Sequence, residues 1–311
     1  MDVGVGLDGR LGLGMRELRE LAQDAVALGY TSVWTPNATL DPFILCALWW
    51  ESARVATGIS VLPVPLAGPA ATLARSAATV ADMCGGRFIL GIGSGSPDRG
   101  AVARTRRELR AIRAALAGKA PVYLAALGPR MLALAASEAE GVALNWCSAA
   151  HVAWSRARVE EAAASAGRDP AGTPLVEYVR VCVDDDEDAA RLAIARQVVA
   201  YALARPGQSK AVGYRAHFTR MGFGDALDEL EARRDRGADA ETLARAVPLE
   251  MLREVAAFGP AARVREGFLR LARGLDLAIV RVIAARPGLD AARAAMVACR
   301  PEVRTPASRS P

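Results

Sequence analysis

Thr57-Gly-Ile-Ser-Val-Leu62, an amphipathic run from Pro69 to Met83, and Gly85-Gly-Arg-Phe-Ile-Leu-Gly-Ile-Gly-Ser-Gly95 make one strand–helix–strand unit. Two short apolar runs joined through a helix are a parallel crossover, not a hairpin. The rhythm extends in both directions. Upstream lie a strand at Val3–Leu7, a helix from Met15 to Leu28 with Leu18, Leu21, Ala25 and Leu28 at helical spacing, and a strand at Thr31–Thr35. Asp41 before Pro42 starts a helix to about Ser52. Downstream, strands at Pro121–Ala125, Gly141–Trp146 and Pro174–Val183 alternate with helices at Ala101–Ala117, Pro129–Ala139 and His151–Ala166. Asp184-Asp-Asp-Glu-Asp188 reads as a helix N-terminus, where the macrodipole favours negative charge. Ala189 to Leu271 is helical in pattern, Leu275–Ala284 is an eighth strand and Leu289–Cys299 a last helix.

Eight such units predict an α/β fold, a closed (β/α)8 TIM barrel with an all-helical insertion at about 189–271 before strand eight. Residues 1–299 read as one domain and 300–311, rich in Pro, Ser and Arg, as a flexible tail.

Composition narrows the function classes. Apolar residues are 52% and charged residues 23%, which excludes a disordered chain or a disulfide-stapled one. The longest apolar runs, Phe43–Trp50 and Val61–Ala67, fall far short of the roughly 20 residues a membrane span needs. Lys119 and Lys210 are the only lysines among 39 basic residues; the arginines are spread along helices and the net charge is +5. No nucleic-acid surface is expected from that distribution. Cys46, Cys84, Cys147, Cys182 and Cys299 show no CxxC spacing, and nothing like a secretion signal opens the chain. These read as reduced core thiols of a cytoplasmic protein. With only His151 and His217, no metal site is expected.

In such a barrel the chemistry lies at the C-terminal ends of the strands. That selects Asp8 and Gly9, Pro36 and Asn37, Ser60–Pro65, Gly93–Pro97, Ala125–Arg130 and Asn145–Ser148. In Gly91-Ile-Gly-Ser-Gly-Ser-Pro97 the glycines allow close backbone approach to a ligand, but the spacing fits neither a dinucleotide nor a Walker motif. Ala125-Ala-Leu-Gly-Pro-Arg130 places a cation in a helix's first turn, which is unfavourable for the dipole unless an anion lies near. Ionisable groups at the mouth are few: Asp8, Arg10, Asp98, Arg99, Arg130 and His151. Trp34, Leu62, Pro63, Pro65, Leu127 and Trp146 make it apolar. A planar cofactor that carries the chemistry itself suits such a mouth.

Four segments carry a family resemblance. Gly85–Gly95 resembles the strand-four motif of the bacterial-luciferase-like flavin and deazaflavin oxidoreductases, and Thr57–Pro65 their strand three. Pro121-Val-Tyr-Leu-Ala-Ala-Leu-Gly-Pro-Arg-Met131 with Gly141–Trp146 is similar to their strands five and six, and Arg220-Met-Gly-Phe-Gly224 to an insertion segment of the coenzyme F420-dependent branch. The resemblance runs roughly from Val3 to Pro287. It implies a TIM barrel that binds F420, or alternatively FMN, at its C-terminal face and moves a hydride to or from a small organic substrate. It also implies a non-prolyl cis peptide at Ser60–Val61, with the cofactor ring against it. Gly93, Ser94 and Gly95, together with Ala125, Ala126, Leu127 and Gly128, would surround the cofactor, with Asn37, Arg130 and Asn145 close by. No residue is assigned to acid–base catalysis, because Asn37-Ala38 stand where many relatives carry Asp-His or Glu-His. Only about 25 residues separate Gly95 from Pro121, a short loop. An FMN-dependent monooxygenase and a catalytically silent cofactor- or partner-binding barrel remain alternatives. Phe43, Ile44, Leu45, Leu48, Trp49 and Trp50 make one helix apolar on more than one face, so a homodimer through that helix is expected.

Overall fold

Strands and helices alternate from the start of the computed structural model, which describes residues 1–95, 98 and 100–302. β1 (Asp2–Gly6), α1 (Met15–Ala27), β2 (Ser32–Thr35), α2 (Pro42–Ala53), β3 (Ala56–Pro63), α3 (Ala70–Met83), β4 (Phe88–Gly93) and α4 (Ala101–Leu116) form the first half. β5 (Val122–Ala125), α5 (Pro129–Glu138), β6 (Gly141–Asn145), α6 (Ala149–Ser165) and β7 (Leu175–Val183) continue it. The excursion follows: α7 (Glu187–Ala202), α8 (Gly213–Phe218), α9 (Gly224–Asp235), α10 (Ala240–Ala246), α11 (Leu249–Val255), β8 (Ala256–Gly259) and α12 (Ala261–Leu271). β9 (Leu277–Val282) and α13 (Leu289–Ala298) close the chain. Three expected mouth residues, Ser96, Pro97 and Arg99, and the tail beyond Glu302 lie outside the described residues.

All pairings are parallel, and β1 pairs with both β2 and β9 while β6 pairs with β7. With β7–β9 the ring closes on eight strands, the predicted (β/α)8 barrel. Alternation sorts the side chains. Trp34, Ala143, Val176, Tyr178 and Ile279 fill the barrel interior, with Val61, Ile89, Tyr123 and Leu277 against them. Their neighbours along the strands, such as Leu90, Leu124, Leu144 and Val179, face the helices. No helix among the described residues is long and apolar enough to cross a membrane.

One expectation needs correcting. The 189–271 excursion is not all helical, because β8 pairs with Arg180–Val183 of β7. Those residues lie beyond Tyr178, where the pairing with β6 stops, on the same edge of β7. β7 has nine residues and β6 five, so its upper edge needs another partner. Ala256-Ala-Phe-Gly259 supplies it. Four residues are too short to show a period, and the run reads as a helix tail in sequence.

The acidic run caps as expected: Asp186 accepts from the Ala189 N–H, and Asp184 pairs with Arg286. Asp41 caps α2 by accepting from the Phe43 and Ile44 N–H groups, a contribution of about 0.5–2 kcal/mol. Much of that helix is absorbed by its own chain. Leu45, Cys46, Trp49 and Trp50 are buried and Phe43 and Leu48 half-buried, while Ile44 stays 60% exposed.

Candidate active site

The C-terminal rim divides into two arcs. On one, β3 meets β4 and β5 through small residues. The Ser60–Val61 peptide is cis, as the resemblance implies, and the register with β4 shifts between Ile59 and Leu62. β4 turns Gly91 and Gly93 toward this bulge. A Cβ on Gly91 would stand 2.2 Å from the Ile59 carbonyl oxygen. One on Gly93 would stand 3.0 Å from Val61 Cγ2 and 3.2 Å from Ala125 Cβ. Only hydrogen fits at Gly91, and β3 and β4 close up because of it. Ser60, Val61, Gly93 and Ala125 therefore meet at one place, with Ser94 and Gly95 following directly on the strand end.

The expected residues of the next rim segment are spread more widely. Ala126 is buried, and its N–H donates to Ala143. Leu127 offers its carbonyl to Arg220 Nη2 at 2.9 Å, and Gly128 stands at the start of α5 beside the same guanidinium. Arg130 is exposed in that helix's first turn. Asn145 has both ends of its amide engaged, accepting from Arg180 Nη1 at 2.6 Å and donating to Tyr214 Oη. Asn37 is exposed in the loop after β2.

The other arc is charged, and sequence reasoning found only part of it. Asp8 is fully buried after β1, 2.6 Å from Arg281 Nη2 and 3.0 Å from Arg10 Nη2. Burial alone would raise its pKa, but Arg281 and Arg10 outweigh burial and hold it below the ordinary carboxylate value. Arg180 of β7 and Arg281 of β9 lie on the inward face of the barrel, paired in register. Arg180 lies 3.7 Å from the centre of the Trp146 ring and 5.4 Å from that of Tyr201. Tyr201 comes from α7 in the excursion and is half-buried. Burial works to raise its phenol pKa, yet Arg180, Arg10 and Arg281 together bring it below the ordinary value. The signal for the missed arginines was the strict alternation Val176, Tyr178, Arg180 in an apolar strand.

The chain's two histidines also converge. His151 and His217 lie with ring centres 4.7 Å apart, and Cys147 Sγ is 3.9 Å from His217 Nε2. One donor atom from each of the three residues lies within 4.8 Å of the others, a set of metal-binding type that 66 residues of separation between the histidines hid in sequence. Burial lowers the pKa of His151 to about 4 and of His217 to about 3, so both rings are neutral near pH 7.

The family model of the luciferase-like monooxygenases matches residues 3–102 and 99–276. The chain belongs to that family. It is 27% identical over 222 residues to the 5,10-methylenetetrahydromethanopterin reductase of Methanolobus tindarius, covering 59% of this chain and 66% of that protein. It is 31% identical over 167 residues to the same-named reductase of Archaeoglobus fulgidus, covering 44% and 50%. The alignments thus span less than two thirds of either relative. The coenzyme F420-dependent tetrahydromethanopterin reductase of Methanopyrus kandleri superposes with a TM-score of 0.73 at 18% identity, over 95% of this chain and 97% of that one. The monooxygenase RslO1 of Streptomyces bottropensis superposes with a TM-score of 0.63 at 18% identity, over 95% and 96%. At these identities the superpositions speak for the fold.

Proposed function

We propose that this family member is an oxidoreductase that moves a hydride between coenzyme F420 and a small organic substrate. The observation that carries the reading is the fitted wall of β3–β5, where Gly91, Gly93 and Ala125 leave room for the Val61 bulge and nothing larger. Such a wall presents backbone and small side chains to a flat ring. In this reading the ring rests on Ser60–Val61. Gly93–Gly95 and Ala125–Gly128 line its edge, and the start of α5, with Arg130 and Arg220, takes the phosphate end. When bound, F420 supplies or accepts the hydride at its central ring carbon.

The chain's own residues then have three tasks. The β3 bulge fixes the ring, the mouth excludes water, and a proton must reach the substrate that receives a hydride. We assign that proton to Tyr201 Oη, whose acidity the three neighbouring guanidinium groups raise. This answers the lack of an acid or imidazole at Asn37-Ala38. FMN is the second reading, because the same wall would suit an isoalloxazine and a Baeyer-Villiger monooxygenase solved in complex with FMN shares the fold. Separate titration of the purified chain with F420 and with FMN tests both readings. Saturable binding of F420 in preference to FMN supports the first, and binding of neither overturns both. We also assign the Ile44 face of α2 to a second copy of the chain, which light scattering at micromolar concentration checks.

A further inference from the structure

Register sets Arg180 of β7 beside Arg281 of β9, on the same inward face, with 4% and 5% of their surfaces exposed. Like charges on adjacent strands repel, and a buried cation calls for a counter-charge. Arg281 has one in Asp8, but Asp8 also serves Arg10. Two guanidinium groups thus share this one carboxylate. Arg180 has no ion pair among the described residues. Its Nη1 donates to Asn145 Oδ1 at 2.6 Å and to the Tyr178 carbonyl at 3.2 Å, and its plane rests on Trp146. Glu177, also on β7, faces the helices and accepts from the Cys147 N–H. Burial raises its pKa to about 8, so it keeps its proton near neutrality and leaves Arg180 unneutralised. Arg180 itself is lowered only to about 10, mainly by burial, and stays charged. The Nε and Nη2 atoms of Arg180 donate to no described residue, and neither is among the sealed, partnerless atoms. The forked edge of the guanidinium is therefore unspent among the described residues.

Position says what that edge faces. Around the closed ring β7 lies four strands from β3 in either direction. Arg180 thus stands across the barrel mouth from Ser60–Val61. We propose that Arg180, seconded by Arg281, binds an oxyanion on the substrate, foremost a carboxylate, so that small organic acids are the substrate class; this rests on the cofactor reading above. A planar fork meets a carboxylate with two parallel hydrogen bonds, which a neutral amide cannot match. The phosphate of the cofactor is the other source of an oxyanion, but Arg130, Arg220 and the start of α5 already provide for it on the β5–β6 side.

The test uses the full chain, with and without saturating F420 or FMN, and three probes: cinnamate, cinnamamide and inorganic phosphate. Binding is read from tryptophan fluorescence, with Trp146 beneath Arg180 as reporter, and from the shift in melting temperature. The expected result is that cinnamate binds at least about tenfold more tightly than cinnamamide. In Arg180→Gln that ratio falls to about one, while cofactor affinity changes by less than about twofold. Arg180→Lys, which keeps the charge without the fork, falls between them and decides the matter should Arg180→Gln fail to fold. Equal binding of acid and amide by the wild type overturns the proposal. So does a large loss of cofactor affinity in Arg180→Gln or Arg180→Lys with the acid-to-amide ratio intact, because it would assign Arg180 to the cofactor phosphate. If neither cofactor binds, the cofactor reading fails alone, and the acid-to-amide ratio of the unloaded chain still decides the anion subsite.

Discussion

The β3–β5 arc and the β7–β9–β1 arc of one barrel rim solve opposite problems. The first is made of Ser60, Val61, Gly91, Gly93 and Ala125 and contributes shape without charge. The second is made of Arg180, Arg281, Asp8, Arg10 and Tyr201 and contributes charge within a largely buried setting. The difference teaches a division of labour. In the proposed reading, the wall that admits no extra methyl group would hold a rigid flat ligand, and the wall with excess positive charge and an acidified phenol would hold and protonate what reacts with it. If the contrast is real, the two arcs must fail differently when disturbed.

The largest effect is expected at Asp8. Asp8→Asn leaves Arg281 buried without its partner, and urea denaturation should show a loss of about 3–5 kcal/mol. The pH dependence has a definite sign. The folded-state pKa of Asp8 lies below its ordinary value near 3.8, because Arg281 and Arg10 overcome burial. Its contribution is fully present above the unfolded value and is lost as pH falls through the lower folded value. Asp8→Asn should remove that part of the acid limb from a stability profile.

Tyr201→Phe comes next and should spare stability. With F420 and an accepted substrate, turnover is expected to fall about a hundredfold while cofactor affinity holds, since the proposal sets the ring on the other arc. In the wild type the rate should decline as pH rises through the lowered phenol pKa, and Tyr201→Phe should lack that decline. On the shape arc, Gly91→Ala drives a methyl group onto the Ile59 carbonyl. A loss of about 1–3 kcal/mol is expected in the same denaturation assay, with cofactor affinity reduced as well. The smallest effect on the folded chain is at Ile44, outside both arcs. Ile44→Glu should leave the melting temperature nearly unchanged and, if the proposed dimer forms, turn its light-scattering mass into that of a monomer.

The two arcs also differed in how far the sequence revealed them. Glycine inside a strand pattern is conspicuous, so Gly93 and its neighbours are legible in the sequence, and so is the barrel itself from its repeating units. The charged arc was half hidden. Asp8 and Arg10 follow a strand end, which marks them as mouth residues. Arg180 and Arg281 are single cations within apolar strands, and Glu177 beside Arg180 points the other way, so charge alone could not say which faces inward. Tyr201, His217 and β8 come from the excursion, whose helical pattern does not say where it folds back over the rim. Their placement depends on tertiary pairing, such as that of β8 with the upper part of β7.

The most direct test of the account is a pair of equilibrium titrations, F420 and FMN separately, against the wild type and against Gly91→Ala. The account predicts saturable binding of F420 to the wild type at one equivalent per chain, stronger than that of FMN and weakened in Gly91→Ala. Failure of both to bind the folded wild type, or wild-type affinity in a folded Gly91→Ala, would contradict it.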